Sequence, residues 1–115
     1  MLAARIVMGT VLTLAGVALV WVARAGADGR LQRNPLVGIR TAHTLSSDRA
    51  WTAAHRAGAT ATQAGGWCAV VTGALAFIPG PVEATFVIGA AGALLMVALA
   101  AVGGVKGMRA AREIR

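Results

Sequence analysis

The chain reads as an all-α membrane protein: three transmembrane helices, with a short amphipathic interfacial helix before the second span. Three observations point there. Hydrophobic residues make up 57% of the 115 residues and charged residues only 13%, with a mean hydropathy of +0.71. That charged share is about half the usual one. The apolar residues gather into three runs. Ten of the eleven Lys and Arg residues lie in two blocks beside those runs, at 24–57 and 106–115. The length leaves room for a single domain, 1–115.

The first run, Ile6–Ala23, is eighteen residues long, about 27 Å of helix. Arg5 before it and the small residues Ala23, Ala25 and Ala27 after it also fit a secretory signal peptide. The length of the run, Trp21 as an interface anchor and the arginines that follow favour a retained span at about 5–24. Gly9, Thr13, Gly16 and Val20 recur at spacings of four, three and four, a face suited to close helix packing.

Residues 25–57 form the polar motif loop. Asn34-Pro35 disfavours helix and starts a turn. Gly38 permits a positive φ or the close approach of another backbone. Arg40 offers a planar fork of donors, either to a headgroup phosphate or to a carboxylate or exposed carbonyls. Leu36, Val37 and Ile39 are more apolar than a solvated loop needs, so this stretch should lie at the interface or fold back on the helices. Ser46 or Ser47 should then cap a helix, with Asp48 in its first turn. Ala50, Trp51, Ala54, His55 and Gly58 fall on one stripe of that helix, and Arg49, Thr52 and Arg56 towards the other side.

No proline separates this helix from the second apolar run, so the two could be continuous, with a bend at Gly58 or Gly65-Gly66. The strictly apolar part, Trp67–Ile78, is too short to cross a bilayer. A span of about 58–78 therefore takes in Thr60, Thr62 and Gln63, which should face the bundle; Gln63 suits an interhelical hydrogen bond. Pro79-Gly80-Pro81 makes a tight turn. The third run, Val82–Val105, is the clearest span. Gly89 and Ala93 form a small-residue pair on it, extended by Ala98, Ala101 and Gly104. By the positive-inside rule the N-terminus is outside, and the motif loop and C-terminus are cytoplasmic.

Several function classes are disfavoured. The net charge of +7 sits beside apolar runs, which suits anionic lipid headgroups and not nucleic acid. Cys68 stands alone in an apolar run, so no disulfide framework is expected. His43, Asp48 and His55 are spaced by five and seven residues, unlike a zinc pattern, in a cationic loop that opposes a metal. No nucleophile elbow, Walker loop or dinucleotide fingerprint is present. Neither an enzyme nor a cofactor is expected. Trp51 and His55 lie one turn apart. Either Trp51 anchors at the interface with His55 packed beside it, or both line a pocket with Arg40 and Asn34.

The run Asn34-Pro-Leu-Val-Gly38-Ile-Arg40-Thr41, then Thr44-Leu-Ser-Ser, then Trp51 and His55-Arg56 resembles the SdpI family. These bacterial membrane proteins are named for an immunity protein against a secreted killing toxin. The likeness covers about residues 30–60, with the flanking helices alike in hydropathy and order. Asn34, Gly38, Arg40, Thr41, Trp51 and His55 match the family pattern, whereas Ala42 stands where many members carry proline. The resemblance implies a plasma-membrane protein that protects against, or senses, a membrane-active peptide toxin, with those six residues as the binding motif. The alternative is an accessory or scaffold subunit that packs its Gly/Ala faces on a respiratory or transport complex. Partners expected are anionic lipids, a peptide toxin or such a complex, and a second copy of the chain.

Overall fold

A computed structural model describes residues 2–114. Among them are three long helices, α1 (Leu2–Ala27), α2 (Asp48–Leu75) and α3 (Val82–Arg112), a 3-10 turn at Thr44–Ser46, and no strand. The bundle is elongated, 53 × 20 × 19 Å. α2 lies between the other two and packs along both, while α1 and α3 touch each other little.

Local sequence sets the ends of each helix. α1 stops where Gly29 takes φ +79° and the N–H groups of Arg30 and Leu31 both donate to Ala25 O, at 2.8 and 2.9 Å. That is a left-handed glycine cap. α2 starts at Ser47, whose hydroxyl accepts from the Ala50 N–H at 3.1 Å, with Asp48 in the first turn. Ser46 instead donates to His43 O, so of the two serines Ser47 is the cap. At the far end Arg5 donates to Ile78 O at 2.8 Å and to Gly80 O. Those donors take up carbonyls at the α2–α3 turn that would otherwise lack partners.

The expected interfacial helix is not a separate element. α2 runs unbroken through Gly58, Gly65 and Gly66, so the amphipathic stretch is simply its first turns. A glycine inside a helix costs roughly 1 kcal/mol against alanine, yet these three sit where another backbone comes close. A Cβ on Gly65 would lie 2.9 Å from Met96 O, and one on Gly66 2.8 Å from Gly16 O. Gly58 likewise faces the backbone of Gly103. α3 is also longer than its apolar run, because the basic tail stays helical to Arg112.

α1 and α3 are long and apolar enough to cross a membrane. Only 28% and 17% of their most apolar windows are buried. A core helix of a soluble protein would bury that surface, whereas these helices turn it outward. α2 does not reach the same apolarity, because it carries a charged first turn together with Thr60, Thr62 and Gln63. On α1 the expected packing face is realised, with Gly9, Gly16 and Val20 buried against α2. On α3 it is realised at Gly89 and departs from the expected residues further along. Gly89, Gly92, Gly103 and Gly107 are buried, while Ala98 and Ala101 are exposed and a Cβ on Gly104 would meet nothing within 4 Å. The i, i+3, i+4 spacing allowed either face; contact with α2 selects the glycine one.

Candidate functional site

The motif loop closes on itself before it touches the helices. Asn34 Oδ1 accepts from the N–H groups of Leu36 and Val37 at 2.9 and 2.8 Å, and Nδ2 donates to Gln32 O and Val37 O at 2.7 and 3.2 Å. Both lone pairs and both protons of the amide are thus engaged, which makes Asn34 the organiser of the Asn-Pro turn. Arg40 is exposed and donates from Nη1 to Pro35 O at 2.7 Å, bracing the same turn. Thr41 and Thr44 bond reciprocally: the Thr41 N–H donates to Thr44 Oγ1 at 2.8 Å, and the Thr44 N–H donates to Thr41 Oγ1 at 3.1 Å. The Thr44 hydroxyl in turn donates to Ile39 O at 2.8 Å, and the residue is fully buried.

Trp51 and His55 receive this loop. Trp51 is 2% exposed and donates its indole N–H to Leu31 O at 2.8 Å; His55 is 3% exposed, and the two ring centroids are 4.3 Å apart. Gly38 lies directly over them with φ +112°, where a Cβ would come 2.6 Å from His55 Nε2 and 3.0 Å from the Trp51 ring. From the other side Gly26 of α1 meets the same imidazole, with a Cβ there 2.7 Å from its carbons. Ile39 then passes between α2 and α3 to reach Gly58 and Gly107, and joins a cluster with Ala50, Ala54 and Ala111. One short loop therefore pins three helices at one end.

The state of His55 follows from its partners. The Ile39 N–H can only donate, so Nε2, 3.0 Å away, accepts; Nδ1 carries the proton and donates to Trp51 O at 2.8 Å. Burial lowers the His55 pKa below the usual histidine value, and the bond to the Trp51 carbonyl partly opposes that shift.

Beside the loop, an apolar cleft of about 540 Å³ opens between the helices. Its floor is α2 from His55 to Thr62, and its walls are α1 from Ala15 to Ala23 and α3 from Met96 to Ala100. Leu36, Val37, Gly38 and Ile39 cross one end of it. Its size falls within the range of small-ligand sites. Trp51 is not part of its lining, and neither are Asn34, Arg40 and Thr41. Of the six motif residues, Gly38 and His55 reach the cleft, and the others hold the loop that closes it.

Gln63 makes the anticipated interhelical bond: its Oε1 accepts from Arg24 Nε of α1 at 3.2 Å. Thr44 and Gly26 were not singled out as site residues from sequence. The only signal for Thr44 was its place in the family-like run, and nothing local marked Gly26. His43, Asp48 and His55 go separate ways. His43 Nε2 lies 3.1 Å from Ile114 O, and Asp48 pairs with Arg33 at 3.4 Å. Among the described residues no three His, Cys, Asp or Glu side chains converge as a metal site would require.

Comparison with known proteins adds one match. The sequence model of the SdpI/YfhL protein family fits residues 30–106, about two thirds of the chain, from the motif loop through most of α3. Neither the curated proteins nor the solved structures give a match.

Proposed function

This chain belongs to the SdpI/YfhL family, and on that premise we propose a small plasma-membrane protein that receives a membrane-active peptide toxin, for protection or sensing. The apolar segment of the peptide enters the 540 Å³ cleft sideways from the lipid, and the motif loop over His55 responds to its presence. The observation that carries this reading is the position of Leu36–Ile39 across the end of that cleft. Occupancy would bear directly on the loop that pins the three helices at that end.

In this reading all three helices cross, at about 5–24, 58–78 and 82–105. Two supports exist for the third crossing. The short turn at 79–81 makes α2 run back beside α3, and Arg5 of α1 holds that same turn. Residues 58–78 therefore lie at the depth of the two apolar helices, between them, with the half-buried Gln63 amide bonded to Arg24. The positive-inside rule places the motif loop and C-terminus in the cytoplasm and the N-terminus outside.

The test is growth of a sensitive bacterium under challenge with secreted membrane-active peptides, with and without the chain. Ala18 is exposed and lines the cleft, so Ala18→Trp fills the space without disturbing buried contacts. Expression should protect, and Ala18→Trp should remove most of the protection at matched protein levels. Equal protection by the filled variant would overturn the cleft as the receiving site.

A second reading rests on the outward face of α3. Ala98, Ala101 and the unobstructed Gly104 offer a small-residue surface on which a helix of a larger complex, or of a second copy, could pack. Stoichiometric recovery of a respiratory or transport complex, lost with Gly104→Leu, would favour this accessory role.

A further inference from the structure

A second cleft, about 340 Å³, lies on the other side of α1 from the first. Val17, Val20, Trp21 and Arg24 recur there at helical spacing, and Trp67 and Val70 of α2 face them. Arg30, just past the end of α1, completes it. Trp21 and Trp67 are 54% and 48% exposed, so this is an open trough with two aromatic rims and a cationic end.

Depth gives the trough its meaning. Arg24 follows Arg5 by nineteen residues, about 28 Å of helix, close to the thickness of a bilayer core. With Arg5 at the α2–α3 turn, Arg24 stands at the opposite boundary, where headgroups lie. Tryptophans favour the same level. Charge is out of balance there. Among the described residues Arg24 has only the neutral Gln63 amide as a side-chain partner, and Arg30 pairs with Asp28 at 3.0 Å. Arg56 adds a further cation nearby, donating to Ala27 O at the end of α1. The bond from Arg24 Nε to Gln63 also orients the guanidinium and leaves both terminal nitrogens for an anion.

We propose that this trough binds one anionic phospholipid. Its phosphate sits between Arg24 and Arg30, and one acyl chain lies along Val17, Val20 and Val70 between the two tryptophans. A free phosphate would use the arginines but not the apolar floor. A zwitterionic lipid would bring a second cation against three arginines. The site is on the other side of α1 from the toxin cleft. It rests on the membrane-crossing reading alone, and failure of protection against peptides would leave it standing.

The test is native mass spectrometry of the full chain released from vesicles of equal phosphatidylglycerol and phosphatidylcholine. One phosphatidylglycerol should be retained in preference. Arg24→Gln and Arg30→Gln should each lower that retention about fivefold, the usual size for one cation at a membrane surface, and Arg112→Gln should not. Arg30→Gln leaves the Arg24–Gln63 contact intact, so it carries the test even if Arg24→Gln loosens the α1–α2 packing. Added glycerol 3-phosphate should fail to displace the lipid. Equal retention of phosphatidylcholine, equal loss in Arg112→Gln, retention unchanged by Arg30→Gln, or displacement by glycerol 3-phosphate would each overturn the site.

Discussion

The Ile39 backbone N–H donates to His55 Nε2 at 3.0 Å, and this single bond joins a loop to a helix sixteen residues further on. It also requires a neutral imidazole, because a protonated Nε2 would meet the Ile39 N–H donor to donor. With the folded-state pKa lowered by burial, the unfolded chain binds more protons as pH falls through the ordinary histidine range near 6.5. Stability is therefore full above about pH 6.5 and declines below it. Melting in detergent between pH 8 and 5 should show a fall in wild type, and a much flatter profile in His55→Gln. A fall of equal size in that variant would assign the pH response elsewhere.

Gly38 and Gly29 both have positive φ, but they should not respond alike. A Cβ on Gly29 meets nothing within 4 Å, whereas one on Gly38 runs into His55 and Trp51. Gly29→Ala should cost about 1 kcal/mol, the conformational penalty alone. Gly38→Ala should cost more, and it should increase proteolysis within the loop at residues 32–43. Equal melting temperatures for the two would mean that the loop lifts from α2 without loss.

Arg40 separates fold from function. Among the described residues its one hydrogen bond is to Pro35 O on an exposed turn, so neither Arg40→Lys nor Arg40→Ala should shift melting by more than about 1 kcal/mol equivalent. If its remaining donors clamp a carboxylate or carbonyls of a partner, lysine cannot reproduce the paired geometry. Arg40→Lys should then lose protection, or partner recovery, nearly as fully as Arg40→Ala. Arg109→Lys is the silent control. Full activity in Arg40→Lys would reduce the residue to a membrane-surface charge.

Close packing between α1 and α2 should dominate stability in detergent. Gly16 faces the backbone of Gly66 and Val70, while Leu94 is 71% exposed. Gly16→Leu should lower melting strongly and Leu94→Ala hardly at all. Gly89→Leu should be intermediate, since it meets the flexible Met8 thioether and not backbone. Equal effects of Gly16→Leu and Leu94→Ala would mean that the glycine face does not hold the pair together.

Topology can be read with cysteines at Gly29 and Gly80, where an added side chain meets nothing within 4 Å. In a Cys68→Ala background and intact cells, an impermeant thiol reagent should label Gly80→Cys and spare Gly29→Cys. The reverse pattern would invert the orientation.

What could be read from sequence divides along physical lines. Continuous apolar runs gave α1 and α3, because length and hydropathy are additive along the chain. The stripe Ala50, Trp51, Ala54, His55 and Gly58 was legible too, and all five are buried. The continuation of the helix through Gly58 agrees with the lack of a proline there, but the reason for the glycines was not legible, since a glycine that lets another backbone approach looks the same in sequence as one that bends a helix. Long-range partners were hidden for a related reason. Gln63 announced a polar contact, but its partner Arg24 lies thirty-nine residues away, and no local pattern links them. Gly26 gave no sign that it would meet an imidazole from α2.

The central place of α2 bears on how such a chain would enter a bilayer. The least apolar of the three helices is the one flanked by the other two, so on the three-crossing proposal its passage through the bilayer depends on theirs. Synthesis delivers α1 first, but Gln63, the partner of Arg24, and the carbonyls that Arg5 holds emerge only with α2 and the turn after it. A chain halted near Pro81 would leave α2 half covered and poorly committed to the bilayer. Completion of α3 would be the step that makes insertion irreversible.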